Sequence, residues 1–169
     1  QINDMTLRLV DQITHVVDEL SQAPPTLIHV DTHLDNILFD LPETVVLIDW
    51  PSAAVGPAAV DFTHFITTSI STPVRRSVAE RLLDEYLEVL RNCGVRNYGL
   101  DDLRRDTTLA ALRLWAGMTT GYGAADPADL IDRQRELHKI EIRRMVGFAE
   151  DWHFAEFLEE SFGERPNGR

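Results

Sequence analysis

The sequence is poor in several features that mark particular classes of protein. It has one cysteine, Cys93, in 169 residues, so no disulfide can form within the chain. No apolar run approaches the roughly 18 residues that a membrane-spanning helix requires, and no signal peptide is visible. These absences lead us to expect a soluble, cytoplasmic protein with no membrane partner.

Basic residues are also scarce. Lysine and arginine together number 16 against 28 aspartates and glutamates, which gives a net charge of −12 and an isoelectric point near 4.8. Proteins that bind the nucleic-acid backbone need clustered positive charge. The composition therefore argues against a nucleic-acid partner, and it is compatible with a cationic small molecule.

The length and the hydrophobic content, 44%, are those of one domain with a core. Apolar residues at helical spacing predict helices over residues 1–20, 58–70, 72–92 and from Asp101 to Gly117. A glycine-rich loop is predicted over 117–123, followed by one long helix from Asp126 to about Leu158. Between the first two helices, two apolar strands flank a turn at residues 41–44. The pattern predicts a mainly α-helical α+β chain with a small β-hairpin.

Polar side chains interrupt the apolar residues around this hairpin. The run from Val45 to Ile48 has no polar alternation, which predicts a buried strand. Asp49 follows it directly, and a carboxylate at that point is costly unless a cation meets it. We therefore expect a metal ion near Asp49. The other candidate residues lie in the preceding segment, at His29, Asp31, His33 and Asn36.

The spacing of Asp31 and Asn36 favours a tight loop between two strands over a helix. Such a loop can direct both side chains into one cleft. Carboxylate and carboxamide oxygens are hard ligands of the kind that Mg²⁺ takes, usually together with waters and substrate phosphates. A carboxylate that holds no metal is then free to act as a base.

Two motifs at these positions resemble those of a known family. The segment HVDTHLDNIL, residues 29–38, resembles the H-G-D-x-H-x-x-N-I-L catalytic loop of the aminoglycoside phosphotransferase and choline kinase family, which has a protein-kinase-like fold. The segment VVLIDWPSAAVGPAAVDF, residues 45–62, is similar to the I-D-W…G…D segment of that family. Both motifs occur in the family's order, which makes the resemblance specific.

The resemblance implies an ATP-dependent phosphotransferase that acts on a hydroxyl of a small molecule. Asp31 would take the proton from that hydroxyl, while Asn36 and Asp49 would hold Mg²⁺ on the ATP phosphates. The remaining matched residues, His29, His33 and Asp61, would support the loop structurally.

The chain departs from the family pattern at two positions. Val30 stands where glycine is usual, which we expect only to narrow the allowed backbone conformations. Pro51 stands where an acidic or small polar residue is common, so an auxiliary metal or substrate contact is in doubt. Neither departure removes a primary catalytic group.

Two parts of a complete enzyme of this kind are missing from the sequence. There is no glycine-rich loop of the kind that covers the ATP phosphates, and the sole lysine, Lys139, lies far downstream of the catalytic loop. The resemblance therefore implies that residues 1–169 form a single domain, the C-terminal lobe, without the nucleotide-binding N-terminal lobe. We expect that lobe as a partner, and we expect the isolated chain to bind ATP poorly and to be inactive.

Two alternatives stay open at this point. A metal-dependent hydrolase would use His29, Asp31, His33 and Asp49 to hold zinc or a similar ion, although it gives no role to Asn36. A non-catalytic binding module would keep the lobe without its activity. The acceptor is equally open among aminoglycosides, choline-like amines, homoserine, sugars and macrolides.

Overall fold

The computed structural model describes residues 2–40, 44–124 and 131–163, and helices dominate these ranges. The elements in chain order are α1 (Ile2–Leu20), β1 (Pro25–Ile28), a 3-10 turn (Leu34–Asn36), β2 (Ile37–Asp40), β3 (Thr44–Leu47), β4 (Ala54–Pro57), α2 (Ala59–His64) with a π-helical continuation (Phe65–Ser69), α3 (Thr72–Asn92), α4 (Leu100–Ala124), α5 (Asp132–Asp151) and α6 (Phe154–Phe162). The predicted helices α1 and α3 are confirmed. Most of the predicted turn, residues 41–43, lies outside the described residues.

The four strands form two separate antiparallel sheets of two strands each. In one sheet β1 pairs with β4, and in the other β2 pairs with β3, with Ile37 opposite Leu47. The predicted hairpin is confirmed as β2 and β3, whereas the sheet of β1 and β4 was not predicted, and the loop from His29 to Asn36 connects one sheet to the other. The sequence of β4, AVGP, contains glycine and proline, which weaken a strand pattern.

The main core lies between α1 and α4, with α2, α5 and α6 packed around it. Helix α1 contributes Met5, Leu9, Val16 and Leu20, which share one face because of the helical period. Leu109 and Leu112 of α4 and Phe148 of α5 are fully buried against this face. Within the ranges that the structure describes, no helix combines the length and the apolar character needed to cross a membrane.

Helix α4 is longer than the sequence predicts. It continues through Gly117, Gly121 and Gly123 to Ala124, so the glycine-rich loop predicted over 117–123 is wrong. Each glycine in a helix costs about 1 kcal/mol relative to alanine. Packing of α4 along α1 outweighs this cost, since Trp115, 6% exposed, anchors the preceding turn in the core.

The long last helix predicted from Asp126 is two helices. The part of the prediction over residues 126–130 lies outside the described residues, and α5 begins at Asp132. The chain then turns at His153, whose φ of 50° is left-handed and interrupts the helix. The turn brings Phe154 and Leu158 of α6 into the core, at 1% and 2% exposure. No glycine or proline at this point signals the break.

The hairpin of β2 and β3 is apolar but exposed. Leu38, Phe39 and Val45 are 50%, 62% and 59% exposed. The run from Val45 to Ile48 does contribute a strand, yet the predicted burial of that strand is wrong. An unbroken apolar run indicates that burial of these side chains is favourable. It does not show that other residues of the same chain bury them.

Candidate active site

The loop from His29 to Asn36 is held by one carboxylate at the start of α2. Asp61 accepts hydrogen bonds from the backbone nitrogens of His29 and Val30, both at 2.7 Å. The backbone oxygen of Asp61 also accepts a hydrogen bond from Thr32 Oγ1 at 2.7 Å. Hydrogen bonds to an ionised group are roughly twice as strong as neutral ones. Asp61 therefore lies in the position from which it can fix the loop backbone.

Val30 has a strained backbone at the position where the related loops have glycine. Its φ of 74° lies in the left-handed region, which costs a residue with a β-carbon roughly 1–2 kcal/mol and is a genuine outlier for a β-branched one. The hydrogen bonds from His29 and Val30 to Asp61 hold this conformation. The sequence suggests that valine at position 30 only narrows the allowed backbone conformations. In the structure, valine adopts a strained conformation there.

Asp31 is oriented by its neighbours and remains open to solvent. Asn36 Nδ2 donates to Asp31 Oδ2 at 3.1 Å and to the Asp31 backbone oxygen at 2.9 Å. His33 Nε2 lies 3.6 Å from Oδ2, and His64 Nε2 lies 3.8 Å from Oδ1. The Asp31 side chain is nevertheless 42% exposed. A carboxylate that is fixed in direction but accessible is suited to accept a proton from a bound hydroxyl.

His33 begins the 3-10 turn that follows Asp31. Its Nδ1 accepts a hydrogen bond from the backbone nitrogen of Asp35 at 3.3 Å. A neutral imidazole that accepts at Nδ1 carries its proton on Nε2, which here faces Asp31. His33 therefore supports the turn through one nitrogen and faces the carboxylate with the other.

Helix α5 reaches this turn through an arginine. Arg133 Nη2 donates to Asp35 Oδ2 at 2.8 Å, across 98 residues of sequence. Other basic residues of α5 form local ion pairs, Arg135 with Asp132 and Lys139 with Glu136. Arg133 differs from them because it joins the helix to the loop from His29 to Asn36.

Asn36 and Asp49 lie at the open end of the β2–β3 hairpin. Ile48 N donates to the backbone oxygen of Asn36 at 3.0 Å, which extends the strand register by one pair. Asp49 follows with a φ of 63°, a conformation that aspartate tolerates better than most residues. Because the Asn36 Nδ2 atom is directed at Asp31, the Asn36 amide oxygen is the atom left for a ligand. This oxygen and the exposed Asp49 carboxylate fit Mg²⁺, which takes one or two protein carboxylates alongside phosphate oxygens.

His29 is buried, at 1% exposure, and links the loop to the strand that leads to Asp49. Its Nε2 lies 2.8 Å from the backbone oxygen of Ile48, so Nε2–H donates there. The ring packs edge-on against Trp50 at 4.6 Å between ring centroids. These contacts are those of a structural support.

The zinc alternative lacks the geometry that it requires. His29 and His33 would share a face only on a true strand, but β1 ends at Ile28 and both residues lie in the loop. The Nε2 atom of His29 is engaged by a carbonyl. Within residues 2–40, 44–124 and 131–163, no three side chains of His, Cys, Asp or Glu are grouped so that they could hold a metal ion.

His64 is a site residue that sequence reasoning missed. Its imidazole is 14% exposed, and its Nε2 lies beside Asp31 Oδ1. Burial lowers the pKa of His64, although the nearby Asp31 carboxylate opposes this effect. The available signal was its position three residues after Asp61, because residues three apart lie on the same face of a helix.

Asp151, at the end of α5, has cationic partners of its own. Both Arg75 and Arg76 lie 2.9 Å from the carboxylate of Asp151. Burial alone would raise the pKa of Asp151, but hydrogen bonds from Arg76 and the charge of Arg75 outweigh burial and hold the pKa below its usual range. Asp151 therefore gives no support to a cationic acceptor.

Comparison with known proteins narrows the identity of the chain. The model of the Ecdysteroid kinase-like family matches residues 1–96, which include both sheets, the catalytic loop, α2 and α3. No curated protein and no solved structure matches the chain. The specific resemblance to aminoglycoside phosphotransferases and choline kinases is therefore confirmed only in its coarser, kinase-like form. Because the match covers more than half of the 169 residues, the chain belongs to the ecdysteroid kinase-like family, whose members are kinase-like phosphotransferases.

Proposed function

We propose that the protein transfers the γ-phosphoryl group of ATP to a hydroxyl of a small molecule, with Asp31 as the general base. This proposal rests on the orientation and exposure of the Asp31 side chain. Asn36 donates a hydrogen bond to the carboxylate, which remains accessible to solvent. In the reaction the hydroxyl proton passes to Asp31 and the hydroxyl oxygen bonds to the γ-phosphorus. The bond from that phosphorus to the β–γ bridging oxygen breaks, and ADP leaves. Mg²⁺, when held by Asn36 and Asp49, supplies neutralisation of phosphate charge.

For the acceptor, the family name adds an ecdysteroid to the aminoglycoside-type and amine substrates considered from sequence. We propose that the acceptor is an apolar, uncharged alcohol and not a polycation. A cavity of about 340 Å³ lies between α4 and α5, with Trp115, Met118, Ile142 and Met145 in its wall, a size at the lower end of small-molecule sites. Helix α5 also contacts the catalytic loop through Arg133. The arginine partners of Asp151 further weaken the case for a cationic acceptor.

We also propose a partner lobe that supplies the glycine-rich loop and the phosphate-binding lysine. Lys139 is not suited to that role, because it lies on α5 and pairs with Glu136. The proposal includes a cytoplasmic location without nucleic-acid or membrane partners, in keeping with the strongly acidic charge.

The test uses Asp31→Asn in the complete protein with Mg²⁺, ATP and a panel of acceptors. The panel contains an ecdysteroid, an aminoglycoside, choline, homoserine, a sugar and a macrolide. We expect the best phosphorylated acceptor to lose turnover by about 10²–10⁴-fold, because a general base contributes that much. Asp84→Asn, an exposed carboxylate on α3, is the matched control and should retain turnover. Full turnover by Asp31→Asn would overturn the proposal, and no turnover by wild type with any acceptor would favour the binding module.

The proposed metal role of Asp49 has its own test. Asp49→Ala should remove the Mg²⁺-dependent part of ATP binding, measured by titration calorimetry with and without Mg²⁺ in the complete protein. Unchanged affinity in the presence of Mg²⁺ would contradict the role.

A further inference from the structure

The two carboxylate oxygens of Asp31 face different surroundings. Oδ2 faces Asn36 and His33, and it already accepts a hydrogen bond from Asn36. Oδ1 faces His64, which lies in the last turn of α2. His64 comes from outside the catalytic loop, so its position beside Oδ1 is a result of the fold. The Oδ1 atom of the proposed base thus has an imidazole beside it.

The surroundings of the His64 ring decide where its proton lies. Nδ1 is buried and has no hydrogen-bond partner within the described residues. A proton on Nδ1 would be a buried, unsatisfied donor, at a cost of about 1–3 kcal/mol. A proton on Nε2 instead faces the Asp31 carboxylate. The neutral ring therefore carries its proton on Nε2, directed toward the site.

The distance between these two groups suits a third atom. At 3.8 Å, His64 Nε2 and Asp31 Oδ1 are too far apart for a direct hydrogen bond. A hydroxyl oxygen about 2.8 Å from each would hydrogen-bond to both, with an angle of roughly 90° between the two bonds. The hydroxyl would donate to the carboxylate and accept from the imidazole. The separation is therefore compatible with one alcohol oxygen that lies beside the pair and hydrogen-bonds to both groups.

We propose that His64 binds the acceptor hydroxyl together with Asp31, an inference that rests on the proposed function. Nε2–H of His64 donates to the hydroxyl oxygen, while the hydroxyl donates to Asp31 Oδ1. The remaining lone pair of that oxygen is then directed at the γ-phosphorus. During transfer the hydroxyl proton moves to Asp31, the oxygen–phosphorus bond forms, and the bond to the β–γ bridging oxygen breaks as ADP leaves. His64 keeps its proton throughout.

Three substitutions separate this role from simple packing. The amide nitrogen of glutamine reaches about as far as histidine Nε2, whereas that of asparagine reaches only about as far as Nδ1. In the complete protein, with Mg²⁺, ATP and the panel acceptor of highest turnover, we expect His64→Asn and His64→Phe to lower kcat/KM for the acceptor by about 10- to 100-fold, as for one hydrogen bond made to a charged site. His64→Gln should stay within about threefold of wild type, and the KM for ATP should be unchanged in all three. His15→Phe, an exposed histidine on α1, is the matched control.

Two results would overturn the inference. Equal losses in His64→Gln and His64→Asn would indicate a packing role, and an undiminished His64→Phe would exclude contact with the hydroxyl. A second measurement needs no turnover: the ¹⁵N shifts of the His64 ring should report the Nε2–H tautomer, and an Nδ1–H tautomer would contradict the geometry. Retained turnover in Asp31→Asn would instead refute the proposed function itself, so the two failures are distinguishable.

Discussion

The loop from His29 to Asn36 and the β2–β3 hairpin follow each other in sequence, but they are held in different ways. The loop backbone is bound at His29 and Val30 by the carboxylate of Asp61. The hairpin presents Phe39 and Val45, which are 62% and 59% exposed. The comparison teaches that the chemical groups are positioned by polar contacts from α2. Burial of the apolar run beside them is not required.

The largest expected effect comes from breaking the support of the loop. Asp61→Asn replaces a carboxylate that accepts from His29 and Val30 with an amide that can accept at only one of its two atoms. We expect the free energy of unfolding to fall by about 2–4 kcal/mol, because one buried N–H then faces another donor. Urea unfolding followed by circular dichroism measures this change. Asp84→Asn, exposed on α3, is the control, and equal stability of the two variants would show that Asp61 does not hold the loop.

A smaller effect tests the strain within the loop. Val30→Gly should be more stable than Val30→Ala by about 1 kcal/mol, because only glycine adopts the positive φ of this position without strain. The same pair of substitutions at Val17, on the exposed side of α1, should give the reverse order, since alanine is favoured in helices. Thermal or urea unfolding of the four variants gives the comparison. The same order at both positions would contradict a strained Val30.

Acidification should weaken the loop region through His64. Burial lowers the pKa of His64; the carboxylates of Asp31 and Asp61 oppose this, while His33 and His29 add to it. The unfolded state therefore binds a proton at pH values where the folded state does not. The free energy of unfolding should decline as the pH falls from about 6.5 toward the lower pKa of the folded state. Urea unfolding across this range should show a shallower decline for His64→Gln, and identical slopes would exclude His64 as the source.

The smallest effect is expected in the hairpin. Phe39→Thr and Val45→Thr remove apolar groups that are already exposed, so each should change the free energy of unfolding by less than about 0.5 kcal/mol. If another part of the protein covers the hairpin in solution, each change should instead cost about 1.5–3 kcal/mol. Unfolding of the variants in the 169-residue chain, alone and with the proposed partner lobe, separates the two cases. A large cost in the 169-residue chain would mean that the hairpin is buried there.

The sequence predicts those parts of the site that depend on local spacing. Asp31 and Asn36 are five residues apart in one loop, and the loop does join two strands as expected. The helices α1 and α3 follow from apolar period and from the Thr72–Pro73 start. Such features are set by residues near one another in the chain, and the local pattern therefore contains them.

The features that the sequence did not predict depend on distant contacts. Arg133 reaches the loop from α5, and no local pattern marks it as a neighbour of Asp35. His64 reaches the loop from α2, and its helical spacing from Asp61 does not by itself show that it lies beside Asp31. The break at His153 is similar, because its left-handed conformation is stabilised by the burial of the helix that follows it. In each case tertiary packing determines the contact or the backbone conformation, and the local sequence is merely compatible with it.

The hydrogen bond from Ile48 to Asn36 has a practical consequence for engineering. It fixes the open end of the hairpin, where Asn36 and Asp49 lie, while four residue pairs separate that end from the connection at residues 41–43. Four pairs correspond to about 10–13 Å of strand. A fluorescent reporter attached at the end of the hairpin far from Asn36 and Asp49 is therefore expected to leave the spacing of these two residues unchanged while it senses what approaches the hairpin.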